Sequence, residues 1–179
     1  MMNKKILVVV GLIAITISAY WFVAGGDRDE LAANETKNIK QLVHGYSVGS
    51  IEAQSASITS TQLIVTNTDA SEEIYDLLED DFFVSIAPYV ETTHPCSNHS
   101  LTGCRGEMVE EEFTVLIEDT QGDVVFDQTI KSQSNGFIDF WLPRDRTYRV
   151  TIEQEGKSQV SEVSTFENDN TCITTMQLI

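Results

Sequence analysis

The chain has 179 residues and carries 28 acidic but only 11 basic side chains, for a formal net charge of −17. Binding to nucleic acid or to anionic lipid headgroups requires Lys and Arg to replace counterions, so this charge argues against both as partners. The acidic residues are spread along the chain apart from short runs at 79–81 and 110–112, which is typical of a solvated surface. The length allows one domain or two small ones, and the hydrophobic content of 41% is enough to bury a modest core.

The N-terminus has the features of an export segment. Lys4 and Lys5 precede an apolar or small stretch over residues 6–24, and a basic flank before an apolar run is the signature of a secretory signal. As a helix this stretch would span roughly 28 Å, close to the thickness of a bilayer core. We therefore predict that residues 1–25 are a signal peptide or a membrane anchor. The remainder is then outside the cytoplasm, either soluble after cleavage or anchored.

The first half of the mature chain predicts a mixture of helix and strand. Apolar residues recur at spacings of three and four over 35–46, which predicts a helix. Residues 57–67 are rich in Thr, Ile and Val and predict a strand, and a short helix is expected from 69 or 71 to 78. Residues 82–90 predict a second strand, in which Pro88 indicates an edge position or a bulge.

After residue 108 the sequence alternates between apolar and polar residues. This pattern predicts strands over 112–118, 124–130, 137–142, 146–153, 160–166 and 172–178. Short strands separated by Gly-containing turns are typical of a small antiparallel sandwich. We therefore expect an α+β protein. A small helix-plus-strand N-terminal domain at 26–106 would be followed by an antiparallel β-sandwich-like C-terminal domain at 107–179.

Soft metal ligands are concentrated in one loop. His94, Cys96, His99 and Cys104 lie within eleven residues, and the third cysteine, Cys172, lies near the C-terminus. Thiolates and imidazoles suit zinc and copper, and thiolates in particular favour Cu(I). We predict that the three cysteines meet and bind copper, with His94 or His99 assisting. Two imidazoles can also hold Cu(II), and zinc is the rival ion.

Glycines flank the second cysteine of the loop. Gly103 and Gly106 lie on either side of Cys104. Because glycine is conformationally permissive, they are expected to leave the backbone flexible there.

The oxidising compartment leaves the state of the three thiols open. They cannot all pair within one chain, so at least one is left over. In one alternative the protein is a structural β-domain that binds no metal, with a Cys96–Cys104 disulfide stapling the loop and Cys172 buried. In the other, the thiols bind copper and are oxidised as they reduce it, because one disulfide releases two electrons. Cu(II)-reducing activity is thus left open, and a metal-binding protein is favoured.

Several stretches resemble one family in particular. The loop over 94–104 resembles the CueP family of periplasmic copper-binding proteins, and so do residues 43–49, 83–90, 136–145, 147–150 and 171–178. The resemblance implies copper tolerance, with Cys96, Cys104 and Cys172 as the key residues. It also implies reduction of Cu(II) to Cu(I) and supply of copper to periplasmic Cu,Zn superoxide dismutase and other cuproenzymes. A two-domain subunit that can form a homodimer is a further expectation.

Overall fold

The computed structural model describes residues 38–179, and this part of the chain is mostly β. Its one helix, α1, covers 38–47 and agrees with the prediction for 35–46 over the residues described. No helix between residues 38 and 179 is long and apolar enough to span a bilayer. The predicted signal or anchor at 1–25 lies outside the described residues.

Eleven strands form three sheets in the described part of the chain. The first sheet has the order β3-β2-β1-β5, the second β10-β9-β6-β7 and the third β11-β4-β8. Their bounds are β1 (Ser55–Ile58), β2 (Gln62–Thr66), β3 (Glu72–Asp76), β4 (Asp81–Ile86), β5 (His99–Ser100), β6 (Glu112–Asp119), β7 (Val124–Lys131), β8 (Ile138–Pro143), β9 (Thr147–Gln154), β10 (Lys157–Ser164) and β11 (Cys172–Ile173). All pairings are antiparallel except that of β11 with β4, which is parallel.

The main hydrophobic core joins the second and third sheets. Because side chains alternate along a strand, the even-numbered residues of β4 and β8 contribute to this core. They pack with inward-facing residues of β6, β9 and β10 and with two residues of the C-terminus: Phe82, Val84, Ile86, Phe113, Val115, Ile117, Ile138, Phe140, Leu142, Tyr148, Val150, Ile152, Val163, Met176 and Leu178. The odd-numbered residues of β4 and β8 face the other way and include Ser85 and Asp139.

The strand predicted over 57–67 is wrong as a single element, because it is a hairpin of β1 and β2. The Thr59 hydroxyl oxygen accepts hydrogen bonds from the backbone N–H groups of Thr61 (3.3 Å) and Gln62 (3.0 Å). Such local bonds from Thr stabilise a turn. The continuous β-forming composition of this segment concealed the turn.

The short helix predicted to end at 78 is also wrong, since β3 pairs with β2 in an antiparallel ladder. Asp69 Oδ1 accepts a hydrogen bond from the Ser71 N–H (3.0 Å), and Ala70 has a positive φ of 66°. These features close a hairpin turn between the Asn67 N–H and the Ser71 carbonyl (2.9 Å). Cross-strand pairing therefore overrides the local helix signal.

The strand predictions over 112–118, 124–130, 137–142, 146–153 and 160–166 are confirmed with shifts of at most three residues in their bounds. The strand predicted over 82–90 ends at Ile86, before Pro88, and the segment predicted over 172–178 is a strand only at its start. An isolated parallel bridge between Tyr89 and Gln177 continues the contact beyond β4 and β11. The division into domains at 26–106 and 107–179 stays a prediction.

Candidate metal centre

The parallel pairing of β11 with β4 places Cys172. The Ser85 N–H donates to the Thr171 carbonyl, and the Ala87 N–H donates to the Ile173 carbonyl, both at 2.9 Å. The other edge of β11 holds the cysteine loop, because the N–H groups of Thr171 and Cys172 both donate to the Ser97 carbonyl (3.0 and 3.1 Å). The C-terminal segment is therefore fixed between β4 and the loop.

This arrangement joins Cys96 to Cys172 in a disulfide, with a Cα–Cα distance of 5.6 Å. The alternative pairing of Cys96 with Cys104 is therefore wrong for this structure, and Cys104 is the free cysteine. Sequence separation favours the pairing of Cys96 with Cys104, which closes the shorter loop. The hydrogen bonds at Ser97 instead bring Cys172 to Cys96 across 76 residues.

His99 is held by β5, which pairs with β1 so that His99 faces Ile58. Its N–H donates to the Thr171 hydroxyl oxygen (3.0 Å), and that hydroxyl donates to the Ile58 carbonyl (2.7 Å). The imidazole is fully buried, with Nδ1 at 3.5 Å from Cys172 Sγ. Thr171 thus fixes the histidine and the adjacent cysteine together.

Cys104 lies at the end of a tight turn. Its N–H donates to the Ser100 carbonyl (2.9 Å), and the Gly103 N–H donates to the Ser100 hydroxyl (3.0 Å). The Arg105 guanidinium donates to the Cys104 carbonyl (2.7 Å) and to that of Thr102 (3.1 Å). These bonds hold the half-buried Cys104 Sγ at 3.5 Å from Cys96 Sγ.

Gly106 does not leave the backbone loose, contrary to the expectation from sequence. Its N–H donates to the Asn135 carbonyl (2.7 Å), and a Cβ at this position would collide with the Gly136 carbonyl group. Gly136 has a positive φ of 81°, and a Cβ there would lie 2.6 Å from the Gly106 oxygen. The two glycines allow a close backbone crossing that ties the cysteine loop to the turn before β8.

Four of the five predicted site residues come together. The ligand atoms of Cys96, His99, Cys104 and Cys172 all lie within 4.8 Å of one another. His94 is not a member of this group. Its ring contacts Phe137 with a centroid distance of 6.2 Å, and the His99 ring contacts the same phenyl group at 4.5 Å. Metal binding by each of the five residues stays a prediction.

The pKa of His99 is lowered from 6.5 to about 4, mainly by burial. The negative charge of Asp139 opposes this lowering, and the nearby His94 adds to it. The imidazole is therefore neutral near pH 7, which is the form that binds metals. Its Nε2 is buried without a hydrogen-bond partner among the described residues, and so is Nε2 of His94. A buried polar atom without a partner is costly. The nitrogen shown beside the sulfurs is Nδ1, so the fit to a metal ion rests on the convergent thiol and imidazole groups.

The sulfur geometry also permits redox chemistry. A thiolate attacks a disulfide sulfur to exchange partners, and Cys104 Sγ lies 3.5 Å from the Cys96 end of the disulfide. The half-buried Cys96 is the more accessible end, because Cys172 is only 1% exposed. The three sulfurs thus form one connected group that can hold or release two electrons.

Sequence reasoning missed the acid beside this cluster. Asp139 lies on β8 and accepts hydrogen bonds from Ser47, Ser85 and Gln133. The available signal was an aspartate within an otherwise apolar run, Ile138-Asp139-Phe140.

These features define a small β protein with a site of thiolate and imidazole ligands for a soft metal. Comparison with known proteins makes the assignment specific. The family model described as "Periplasmic copper-binding protein CueP" matches residues 42–177, and the chain therefore belongs to the CueP family. Its metal is copper and its compartment is the periplasm, in agreement with the resemblance read from the sequence.

A solved structure supports the same assignment. The protein described as "Crystal Structure of S.CueP" is 36% identical, with a TM-score of 0.73, over 79% of this chain and 88% of that chain. No curated protein matches this chain.

Proposed function

We propose that the reduced protein binds Cu(I) through Cys96, Cys104 and Cys172, with His99 assisting, and contributes to copper tolerance in the periplasm. The observation that carries the proposal is the convergence of these four ligand atoms within 4.8 Å. Thiolates are the ligands that favour Cu(I), and imidazole accommodates either oxidation state of copper. The neutral state of the buried His99 imidazole supports its role as a ligand.

Copper binding in this proposal depends on the state of the disulfide. With Cys96 joined to Cys172, Cys104 supplies the one free thiol of the cluster. Reduction of the bond releases two more thiolates at the same place. We therefore expect tight Cu(I) binding in the reduced protein and weaker binding in the disulfide form.

The same cysteines are proposed to reduce Cu(II). Oxidation of the Cys96 and Cys172 thiols forms one disulfide and releases two protons and two electrons, which convert two Cu(II) ions to two Cu(I) ions. The contact between Cys104 and Cys96 supports this step, because exchange would let any of the three sulfurs be the one left free. Repeated turnover would need an external reductant, and without one the reaction stops after a single burst.

Transfer of copper to periplasmic Cu,Zn superoxide dismutase and other cuproenzymes is the step that the family resemblance suggests. The partial exposure of Cys96 and Cys104 supports it, since a recipient's ligands could reach those sulfurs before the buried Cys172. Formation of a homodimer, anchoring by residues 6–24 and assistance from His94 stay proposals that rest on the sequence.

The test is a Cu(II) titration of the reduced protein under argon, with a Cu(I)-specific chelator and a thiol count at each step. The proposal predicts that Cu(I) appears as thiols disappear, with one thiol lost for each electron. Copper binding with all thiols retained would reject the reductase step and leave a copper carrier. The absence of both copper uptake and thiol loss in the reduced protein would reject the site itself. Preference for zinc in a parallel titration would reject copper as the ion selected by these ligands.

A further inference from the structure

A polar row crosses the third sheet beside the cysteine cluster. Cys172 on β11 lies directly opposite Ser85 on β4, and Ser85 lies directly opposite Asp139 on β8. Side chains of directly opposed residues project from the same face of a sheet. The row therefore faces away from the main core. It places the Asp139 carboxylate two strand spacings, or roughly 10 Å, from the Cys172 backbone.

The carboxylate of Asp139 is rigidly held by neutral groups. Oδ1 accepts a hydrogen bond from the fully buried Ser85 hydroxyl (2.5 Å). Oδ2 accepts one from the Ser47 hydroxyl (2.9 Å) and one from Gln133 Nε2 (3.0 Å). None of the three donors carries a charge, so none of them cancels the negative charge of the carboxylate.

We infer that Asp139 is an electrostatic positioning residue of the copper site, whose fixed charge favours a divalent ion over a monovalent one. The inference rests on the proposed function and extends it. A carboxylate near the cluster attracts Cu(II) twice as strongly as Cu(I), because Coulomb energy is proportional to ionic charge. The charge thus aids the capture of Cu(II) more than it aids the retention of Cu(I). The same charge acts on His99, where it opposes the lowering of the imidazole pKa by burial.

The substitution Asp139→Asn removes the charge and keeps the shape. One amide oxygen can still accept from Ser85, and the new NH₂ group can donate where Oδ2 accepted. Gln133 can turn its amide to accept this bond, because its Oε1 is buried without a partner among the described residues. The Ser47 hydroxyl can rotate in the same way. We therefore expect the variant to fold.

The test compares Zn²⁺ with Cu(I) on the fully reduced protein under argon, because neither ion is reduced by thiols. Competition with chelators gives both affinities for the unmodified protein, for Asp139→Asn and for Asp127→Asn. Asp127 is exposed on β7, so its substitution changes the net charge equally, away from the row. Thermal unfolding without metal confirms that each variant is folded.

The inference predicts that Asp139→Asn lowers the ratio of Zn²⁺ to Cu(I) affinity roughly tenfold, and that Asp127→Asn leaves it within about twofold. A general loss of site geometry would weaken the binding of both ions to a similar extent. It would therefore leave the ratio of their affinities unchanged. An unchanged ratio in Asp139→Asn, or an equal change in both variants, would overturn the inference. Failure of the unmodified reduced protein to bind Cu(I) would instead overturn the proposed function.

Discussion

The second sheet and the cysteine loop are built in different ways. In the second sheet, β6, β7, β9 and β10 pair in long antiparallel ladders, and alternating apolar residues bury one face. The cysteine loop has a single two-residue strand, and individual bonds to distant segments hold its ligands. Stability is thus spread over many similar contacts in the sheet. In the loop, the positions of the ligands depend on a few individual hydrogen bonds.

The largest effect that distinguishes the two regions is expected at the free thiol. Cys104→Ser removes one sulfur from the cluster but keeps its turn, because the turn is closed by backbone and Ser100 groups. We expect the Cu(I) affinity of the reduced protein to fall at least about a hundredfold, because loss of even an outer-shell partner of a metal ligand costs about 10–100-fold. Competition with a Cu(I) chelator measures this affinity. Unchanged affinity with the variant folded would remove Cys104 from the site.

A core substitution in the second sheet should show the reverse behaviour. Phe113 is 1% exposed in the main core, so Phe113→Ala is expected to lower the free energy of unfolding by about 3–5 kcal/mol. The Cu(I) affinity of the folded fraction should remain within about threefold, because the loop does not depend on this side chain. Denaturant unfolding and chelator competition give the two quantities. A parallel loss of affinity would show that the two regions are coupled.

The glycine crossing allows a matched test of the connection between the loop and the sheet. Gly136 and Gly122 both have positive φ, 81° and 86°, but only Gly136 lies against another backbone. Gly122→Ala should cost about 1 kcal/mol from backbone strain alone. Gly136→Ala should cost more, about 2–4 kcal/mol, and should also weaken copper binding because the collision displaces the segment next to Cys104. Equal losses of unfolding free energy in the two variants, measured by denaturant unfolding, would contradict a role for the glycine crossing.

The pH dependence of stability tests the burial of His99. Its pKa is lowered in the folded protein to about 4, so the unfolded chain binds the proton more readily between pH 6.5 and 4. Stability supplied by the neutral imidazole is therefore complete above pH 6.5 and declines as the pH falls towards 4. His99→Gln should flatten this part of the profile of metal-free unfolding, whereas His44→Gln, at an exposed site on α1, should not. Identical slopes in the two variants would contradict the burial of the imidazole as the cause.

The sequence predicted the second sheet well because its signal is repeated at every second residue. The strands over 112–118 and 146–153 were recognised in this way and lie within one residue of β6 and β9. The hairpin at Thr59 and the strand β3 were missed, since each depends on side-chain bonds in a turn or on pairing with a neighbour. Local composition contains little of that information.

The cysteine cluster was predicted from residue types, but its pairing was not. The concentration of Cys and His over 94–104 and the third cysteine at 172 were visible in the sequence. The choice of Cys172 as the partner of Cys96 depends on bonds from 171 and 172 to the Ser97 carbonyl, which join segments far apart in the chain. The absence of His94 from the cluster likewise reflects the path of the loop and not its composition.

The central claim is that copper is held by the sulfurs of Cys96, Cys104 and Cys172. X-ray absorption at the copper edge, on the reduced protein loaded with one equivalent of Cu(I), reads the ligands directly. The account predicts a first shell dominated by sulfur, and fewer sulfur neighbours in Cys104→Ser. A shell of nitrogen or oxygen atoms alone in the reduced protein would contradict it.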